Sequence, residues 1–238
     1  MTRGSHAPSP EEVLCHGEIE LLGQLANSSN ETFLVEVTYC DEQCWAIYKP
    51  ELGERPLRDF EPGLYRRERA AFLLSETLGW QIVPTTVVRD DGPFGIGSLQ
   101  LFIDHDPAEH FFTLMGQKTE LHDQLRRLAL FDLVINNADR KAGHVLHDGM
   151  GRLWGIDHGL SFAAPFKLRT VIWEFADETI APALLDDIAP LVELIPENIA
   201  EHLIWAENDA LQDRVRGLLF AKRYPDDPTG MRIPWPLV

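Results

Sequence analysis

The chain has 238 residues, of which 45% are hydrophobic and 25% charged, as in folded proteins with one large domain or two small lobes. Its formal net charge of −17 at pH 7 argues against nonspecific binding to nucleic acid or to an anionic membrane surface, because both need positive charge. No stretch reaches the ~18 to 20 apolar residues of a membrane span, and no apolar signal core is present, so we expect a cytoplasmic protein without integral membrane contact.

The N-terminal end is polar and carries all the cysteines of the chain. The stretch "MTRGSHAPSPEE" predicts a disordered N-terminus over residues 1–12. Cys15, Cys40 and Cys44 form no CxxC pair and are odd in number. Free thiols are therefore the expectation for a cytoplasmic chain.

The first half of the chain is predicted to be rich in strands, with one helix. Apolar and polar residues alternate along the strands, Pro and Gly make 51–63 a loop, and Gly79 ends the helix. The predicted strands are 17–25, 31–39, 44–50, 82–91 and 96–104, and the predicted helix is 64–79.

The second half is predicted to be mainly helical. Apolar side chains repeat along one face of a helix over 121–135, and "HVLHDGMGRLWGID" predicts a hairpin that turns at Asp148–Gly151. Residues 182–224 are predicted to be mostly helical. The order of elements indicates an α+β fold with an N-lobe over 13–104 and a C-lobe over 105–238, with a cleft expected near residue 104.

Phosphoryl transfer from ATP needs a lysine near the phosphates and a carboxylate that holds this lysine. Lys49 ends the third strand in "AIYKP", and Glu68 lies on the apolar face of the following helix. A carboxylate on an apolar face needs a buried partner, and Lys49 is the expected one. The turn between the first two strands supplies Ser28, Ser29 and Asn30, whose hydroxyl and amide groups could cover phosphates without glycine.

Two aspartates follow in the order expected for phosphoryl transfer. Asp139 lies just past the helix of residues 121–135, in "NADRKAGHVL". Asp157 ends an apolar strand in "GIDHG", a pattern similar to the D-x-G that places a magnesium-binding aspartate in kinases. The pair predicts a catalytic aspartate and a metal ligand.

The fragments "DLVINNADRKAGHVL" and "WGIDHGLSF" resemble the catalytic and metal-binding loops of the phosphatidylinositol 3- and 4-kinase superfamily, which read roughly D-R-x-x-x-N and then I-D-F/H-G. The resemblance continues upstream through "YKP", "RRERAAFLLSETLGW", "VPTTVV" and "GSLQLFID", and it is closer to a bacterial branch of such kinase-like proteins. It implies a two-lobe protein-kinase-like fold, with an antiparallel sheet and one helix in the N-lobe and a catalytic hairpin in the C-lobe. It also implies the cofactors ATP and Mg²⁺ or Mn²⁺.

Carried over position by position, the resemblance gives a role to each matching residue. Lys49 would bind the ATP phosphates and Glu68 would hold it. The interlobe hinge that meets adenine would consist of Gln100, Leu101 and Phe102. The catalytic loop would contain Asp139 as the catalytic aspartate, Arg140 as a support for Asp139 or for the γ-phosphate, and Asn137 as a hydrogen-bonding brace. Asp157 would bind Mg²⁺.

His144 departs from the superfamily pattern, because the second metal ligand there is usually an asparagine. Imidazole suits Mn²⁺, Zn²⁺ or Fe²⁺ better than Mg²⁺. Three interpretations stay open: His144 binds a softer metal, contacts phosphate, or marks the loss of the second metal. The last would leave a nucleotide-binding pseudokinase.

The segment 166–175, "FKLRTVIWEF", occupies the place of the activation loop, where the superfamily recognises its substrate. Lys167 and Arg169 would face one way on a strand and are candidates to bind an anionic acceptor, such as a phosphorylated sugar or inositol. We therefore expect a kinase that phosphorylates a hydroxyl of a soluble metabolite or a protein. The acceptor is not expected to be insoluble lipid, because the sequence shows no basic or apolar membrane-facing patch.

Two further classes of enzyme remain as alternatives. An adenylylating enzyme could use the same fold with ATP reversed. A metal-dependent hydrolase could use His144, His147, Asp157 and His158, although His144 and His147 are an odd number of positions apart and would point to opposite faces of a strand. We expect His147 to be exposed near the hairpin turn.

Overall fold

The structure is a computed structural model that describes residues 7–25, 28 and 30–238. Its contacts divide the chain into two compact units. Met1–Arg69 and Pro84–Phe102 belong to the first unit, and Ala70–Val83 and Ile103–Val238 belong to the second. The division therefore falls inside one helix, whose first residues belong to the first unit and whose later residues belong to the second.

The first unit is built on a five-stranded antiparallel sheet with the order β1-β2-β3-β5-β4. Alternate side chains of β2 and β3 are buried, including Val35, Val37, Ala46 and Tyr48, as the alternating sequence pattern predicts. The strands are β1 (Glu18–Gln24), β2 (Phe33–Tyr39), β3 (Glu42–Pro50), β4 (Thr86–Gly92) and β5 (Gly95–Leu101). All five predicted strands are present, with shifted ends.

The first helix, α1 (Pro10–His16), lies where the sequence predicts disorder, so that prediction is wrong for residues 10–12. Ser9 and Glu12 form a reciprocal capping box at its start, and Val13 and Leu14 are buried in the core of the first unit. The capping box offsets the cost of ordering a polar end, and the two apolar residues anchor it. Residues 1–6 of the predicted disordered segment lie outside the described residues.

The helix that carries Glu68 is α2 (Leu64–Thr77), close to the predicted 64–79. The Glu54 carboxylate accepts hydrogen bonds from the backbone N–H groups of Gly63 and Leu64 at 2.9 and 2.7 Å, so a side chain from the preceding loop caps its first turn. Past its end, Gly79 adopts a φ of +67°, which glycine tolerates without strain.

The second unit is mainly helical. The predicted helix at 121–135 is α4 (His122–Ile135), preceded by a 3₁₀ turn at Thr119–Leu121. The other helices are α3 (Phe111–Gln117), which the sequence analysis did not predict, α5 (Pro182–Ile188), α6 (Glu197–Ala200) and α7 (Trp205–Ala221). Within the part of the chain that the structure describes, no helix combines the length and apolar character needed to cross a membrane.

The predicted hairpin is formed by β6 (Val145–His147) and β7 (Leu153–Gly155). Asp148 holds its turn, because its Oδ1 accepts from the N–H groups of Met150 and Arg152 and its Oδ2 accepts from the indole N–H of Trp154. The hairpin therefore turns where the sequence predicts, at Asp148–Gly151.

A buried ion pair lies between α4 and the loop that follows it. Asp132 and Arg140 both have completely buried side chains, and Arg140 Nη2 lies 2.9 Å from Asp132 Oδ1. The same carboxylate accepts hydrogen bonds from Asn137 Nδ2 at 3.0 Å and from Thr170 Oγ1 at 3.4 Å. Three separate chain segments thus meet at one carboxylate.

Replacing Asp132 by alanine should destabilise the protein strongly, because the Arg140 guanidinium would stay buried without its counter-ion. The expected loss in the free energy of unfolding is about 3–5 kcal/mol, measured by urea denaturation. The matched control is Asp123→Ala on the same helix, whose side chain is 96% exposed and pairs with Arg126 only at the surface. That change should cost less than about 1 kcal/mol. Equal losses in both variants would show that the buried pair contributes nothing specific.

Candidate functional site

The ion pair that the sequence predicts in the first unit is present. Lys49 Nζ lies 2.6 Å from Glu68 Oε1, and the side chains are 23% and 4% exposed. The backbone of Lys49 is fixed as well, because Lys49 pairs with Ser98 across β3 and β5. A Cβ at the neighbouring Gly97 would lie 2.4 Å from the Lys49 carbonyl oxygen, so only glycine permits this close approach of the strands. Lys49 is thus a partly exposed cation on a rigid strand.

The turn between β1 and β2 is partly described. Ser28 Oγ lies 2.7 Å from Thr32 Oγ1, and Asn30 Oδ1 accepts from the N–H of Arg55 at 2.9 Å. Ser29, the third residue predicted to cover phosphates, lies outside the described residues. The Asn30 side chain therefore holds the loop after β3, which is a structural use that the sequence analysis did not anticipate.

The predicted hinge residues are tied into the sheet. Gln100 is buried, and its side-chain amide donates to Thr86 Oγ1 at 2.8 Å. The backbone N–H groups of Leu101 and Phe102 donate to the carbonyl oxygens of Thr85 and Trp45. These two N–H groups are therefore not available as donors to an adenine ring, and a base at this position would have to use a carbonyl group or the apolar side chains.

Asp139 lies in a loop that its neighbours Asn137 and Lys141 stabilise. Asn137 donates to Asp132 and accepts from the N–H of Asp139 at 3.0 Å, which is the bracing role expected from the sequence. Lys141 Nζ lies 3.1 Å from Asp139 Oδ2. Burial raises the pKa of the Asp139 carboxyl above its ordinary range, Lys141 opposes this rise, and the nearby Asp157 adds to it. The carboxyl is thus a partly desolvated acid with a second carboxylate close by.

The resemblance gives Arg140 two alternative roles, support of Asp139 or of the γ-phosphate. Its side chain is completely buried, so it cannot contact a γ-phosphate, and that part of the prediction is wrong. Instead it donates to the carbonyl oxygens of His144 and Ile156 at 3.1 and 2.7 Å and to the ring of His158 at 2.7 Å. Arg140 therefore joins the loop of Asp139 to the strand end that carries Asp157.

Asp157 projects from the end of β7 with its side chain 44% exposed, and its backbone has a φ of +61°. The left-handed conformation is uncommon outside glycine and places this carboxylate away from the strand direction. His144 Nε2 lies 3.3 Å from Asp157 Oδ2, while His144 Nδ1 faces the N–H of Lys141 at 3.5 Å. An N–H facing Nδ1 favours the tautomer with its proton on Nε2, so His144 donates to Asp157.

The carboxylates suit a hard divalent cation that binds together with a nucleotide. Mg²⁺ in such sites takes one or two carboxylates and completes its shell with phosphate oxygens and water. Asp139 and Asp157 interact electrostatically and provide oxygen ligands of this kind. Among residues 7–25, 28 and 30–238, no group of three His, Cys, Asp or Glu side chains is arranged to hold a metal ion by itself.

The histidines of the predicted hydrolase cluster have three different partners. His144 contacts Asp157, and the completely buried His158 accepts from Arg140. His147 Nδ1 lies 2.5 Å from Glu109 Oε2, and its side chain is only 12% exposed, so the expectation of an exposed His147 is wrong. Because the predicted ligands are divided among these contacts, the arrangement disfavours the metal-dependent hydrolase.

The segment 166–175 contains no strand, so Lys167 and Arg169 are not alternate residues of one. The N–H of Lys167 donates to Asn136 Oδ1, and Arg169 Nε donates to the carbonyl oxygen of Ala138 at 2.8 Å. Arg140 and Thr170 form a parallel bridge. The segment therefore lies along the loop of Asp139, and Arg169 lowers the pKa of Asp139 by its charge.

Sequence reasoning missed three residues that build this site. Asp132 lies on an otherwise apolar helical face, the same signal that identified Glu68. Lys141 lies two positions after Asp139, in a stretch whose sequence shows neither a helix pattern nor a strand pattern. Asn136 ends α4 with a φ of +55° and donates to the carbonyl oxygens of Ala163 and Pro165, a role that only the three-dimensional arrangement reveals.

Comparison with solved structures shows a similar fold. The structure of hydra Fam20 with sugar superimposes with a TM-score of 0.52 at 15% identity, covering 89% of this chain and 86% of that one. The Helicobacter pylori proinflammatory kinase CtkA gives a TM-score of 0.47 at 12% identity, covering 89% and 94% of the two chains, which is too weak a likeness to argue from. The predicted α+β, kinase-like fold class is confirmed.

Two plant enzymes match part of the sequence. Phosphatidylinositol 4-kinase gamma 3 of Arabidopsis thaliana is 31% identical over 113 residues, which is 45% of this chain and 19% of the plant enzyme. Phosphatidylinositol 4-kinase gamma 4 of Oryza sativa subsp. japonica is 31% identical over 109 residues, 42% and 19% of the two chains. These matches and the kinase-like fold agree with the prediction that the chain is a kinase, and thus a phosphotransferase.

Family membership rests on a match over nearly the whole length. No protein-family model matches the sequence. Protein Rv2133c of Mycobacterium tuberculosis is 38% identical over 262 aligned positions, which cover 94% of this chain and 94% of that one. The chain therefore belongs to the same family as Protein Rv2133c.

Proposed function

We propose that the protein is an ATP-dependent phosphotransferase of the phosphatidylinositol 3-/4-kinase-like type that phosphorylates a hydroxyl group of a soluble metabolite or a protein. The observation that carries the proposal is the pair of carboxylates in the second unit. Asp139 is partly desolvated and interacts with the half-exposed Asp157. Two carboxylates in different environments match the division of labour in phosphoryl transfer, where one receives a proton and the other binds the metal.

The first unit supplies the nucleotide-binding residues of the proposal. Lys49 would bind the α- and β-phosphates, and Glu68 holds its ammonium group in place. Ser28, Ser29 and Asn30 would cover the phosphates. The adenine would lie against Leu101 and Phe102, with Gln100 fixing the strand behind them through Thr86.

Asp157 would hold the divalent cation, Mg²⁺ or Mn²⁺, which neutralises charge on the phosphates during transfer. His144 Nε2 lies 3.3 Å from Asp157 Oδ2, and the tautomer favoured by the Lys141 N–H makes His144 the donor in this contact. The contact supports a role for His144 as the residue that orients the metal-binding carboxylate. A histidine that binds a second cation directly would present an unprotonated nitrogen instead.

Asp139 would act as the base that receives the proton of the acceptor hydroxyl. The acceptor oxygen forms a bond to the γ-phosphorus, the bond from that phosphorus to the β–γ bridging oxygen breaks, and ADP leaves with the bonding electron pair. Lys167 and Arg169 lie on the segment that runs along the Asp139 loop, so an anionic acceptor such as a phosphorylated sugar or inositol fits their charge.

Binding of nucleotide should depend on Asp157. With ATP and Mg²⁺ or Mn²⁺ at 100 times the dissociation constant, the wild-type protein should gain about 2.7 kcal/mol and melt several degrees higher in a thermal-shift assay. Asp157→Ala should abolish most of the rise, whereas Asp123→Ala, a surface change in the same unit, should keep it. If the nucleotide does not change the melting temperature of the wild-type protein, the proposed site is refuted.

Labelled ATP should distinguish phosphoryl transfer from its alternatives. With γ-labelled ATP the label should pass to water or an acceptor, and Asp139→Asn should slow this by about 10²–10⁴-fold while nucleotide binding persists. Label retained from α-labelled ATP on an acceptor would instead identify an adenylylating enzyme. Binding without either reaction would identify a pseudokinase, which the histidine at position 144 favours as the second candidate.

The acid side of the pH–rate profile should respond to Lys141. Asp139 can accept a proton only when it is ionised, so activity should fall as the pH drops through its pKa. Because Lys141 lowers the pKa of Asp139, Lys141→Met should raise that pKa and move the acid limb to higher pH. Lys118→Met is the control, since Lys118 pairs with Glu109. An acid limb shifted equally in both variants would exclude Asp139 as the titrating base.

A further inference from the structure

The C-terminal tail, residues 231–238, lies against the two segments that form the proposed catalytic centre. The carbonyl oxygen of Arg232 accepts from the N–H of Thr170 at 3.1 Å and from the indole N–H of Trp173 at 3.2 Å. The carbonyl oxygen of Leu237 accepts from the N–H of Ala142 at 2.8 Å. One short stretch of chain thus contacts both the substrate segment and the Asp139 loop.

Side chains fix the tail in this position. Pro234 is buried, and Leu237 packs against the large core of the second unit. The guanidinium of Arg232 lies over the ring of Phe166, 4.9 Å from its centroid. Trp235 and Val238, in contrast, are 87% and 62% exposed. The tail therefore has an inward face that holds it and an outward face that contributes little to the fold.

The anchoring point in the Asp139 loop is close to the partners of both proposed catalytic carboxylates, Asp139 and Asp157. Ala142 is completely buried and begins the 3₁₀ turn Ala142–His144, whose last residue donates to Asp157. Lys141, immediately before it, pairs with Asp139. A movement of Ala142 would displace Lys141 and His144 together, and with them the partners of both carboxylates.

Thr170, the second residue that the tail holds, is also connected to the Asp139 loop. Its hydroxyl donates to Asp132, its neighbours Arg169 and Val171 exchange backbone hydrogen bonds with Arg140, and its N–H is used by the tail. The tail adds a third chain segment beside the bridge between Arg140 and Thr170. Without it, the Thr170 N–H and the Ala142 N–H would each lose their partner.

We propose that the C-terminal tail is a positioning element of the catalytic loop: Leu237 and Arg232 hold Ala142 and Thr170, and through them the partners of Asp139 and Asp157. The effect on loop order follows from the contacts alone, whereas the effect on turnover rests on the proposed function. No residue of the tail contacts the reacting atoms in this scheme. Its residues act by fixing the geometry of others.

Hydrogen exchange of the protein tests the structural part. Leu237→Asp should release the tail and make the amides of 138–144 and 166–173 exchange about tenfold faster or more, while the helices α4 and α7 stay protected. Val238→Asp puts the same charge on the adjacent, exposed position and should leave both segments unchanged. If Leu237→Asp does not fold, Leu237→Ala should give the same pattern with a smaller effect.

Two exchange results would overturn the proposal. Unchanged protection of 138–144 in a variant whose tail has become free would show that the loop holds itself. Equal loss of protection throughout the second unit would show that Leu237 is only part of the core.

Turnover supplies an independent test. Leu237→Asp should lower kcat at least tenfold, and the KM for ATP should change less than kcat, because only the Asp157 part of the proposed nucleotide site depends on the tail. An unchanged kcat in a variant with a loosened loop would also overturn the positioning role. If the wild type itself transfers no phosphate, the proposed function fails, and hydrogen exchange alone still decides whether the tail holds the loop.

Discussion

The buried contact between Asp132 and Arg140 is the constraint on which the second unit depends. A buried arginine cannot lose its charge, so its guanidinium must find acceptors, and the structure supplies Asp132 together with the carbonyl oxygens of His144 and Ile156. Since those carbonyl groups belong to the loop after Asp139 and to the strand end before Asp157, satisfying one buried charge brings both carboxylates to the same place. The proximity of Asp139 and Asp157 is thus a consequence of burying the Arg140 charge.

Each unit contains a buried acid on a helix that pairs with a cation. Glu68 and Asp132 are acids on the buried faces of α2 and α4, and each has a cation from a different chain segment as its partner. The difference lies in exposure of the cation. Lys49 is 23% exposed and remains accessible to a ligand, whereas Arg140 is completely enclosed. A partly exposed lysine can still contact an anionic ligand, whereas an enclosed pair can only brace the backbone.

Sequence patterns predicted the strands and helices in which apolar residues recur regularly. They also identified an acid that lies where the pattern calls for an apolar residue. The strands, α2, α4 and the hairpin follow from periodicity and turn residues, and Glu68 follows from an acid on an apolar face. For Arg140, only the alternative of contact with the γ-phosphate was wrong, because a motif states which residue is present but not whether its side chain is enclosed. Helix α1 was missed because its capping box lies in a polar stretch. The direction of the Asp157 side chain depends on a left-handed backbone conformation, which no side-chain pattern predicts.

Charge balance gives the remaining argument for a divalent cation in the proposed reaction. The chain carries 38 acidic and 21 basic residues, so a nucleotide triphosphate meets a repulsive background. Within each unit these cations are already paired: Lys49 with Glu68 in the first, and Arg140 with Asp132 and Lys141 with Asp139 in the second. Asp157 adds a further negative charge. Among these residues, it is contacted by the imidazole ring of His144. Paired cations neutralise phosphate charge only in part, so the proposed reaction needs further positive charge that arrives with the nucleotide, and the half-exposed carboxylate of Asp157 attracts such a cation.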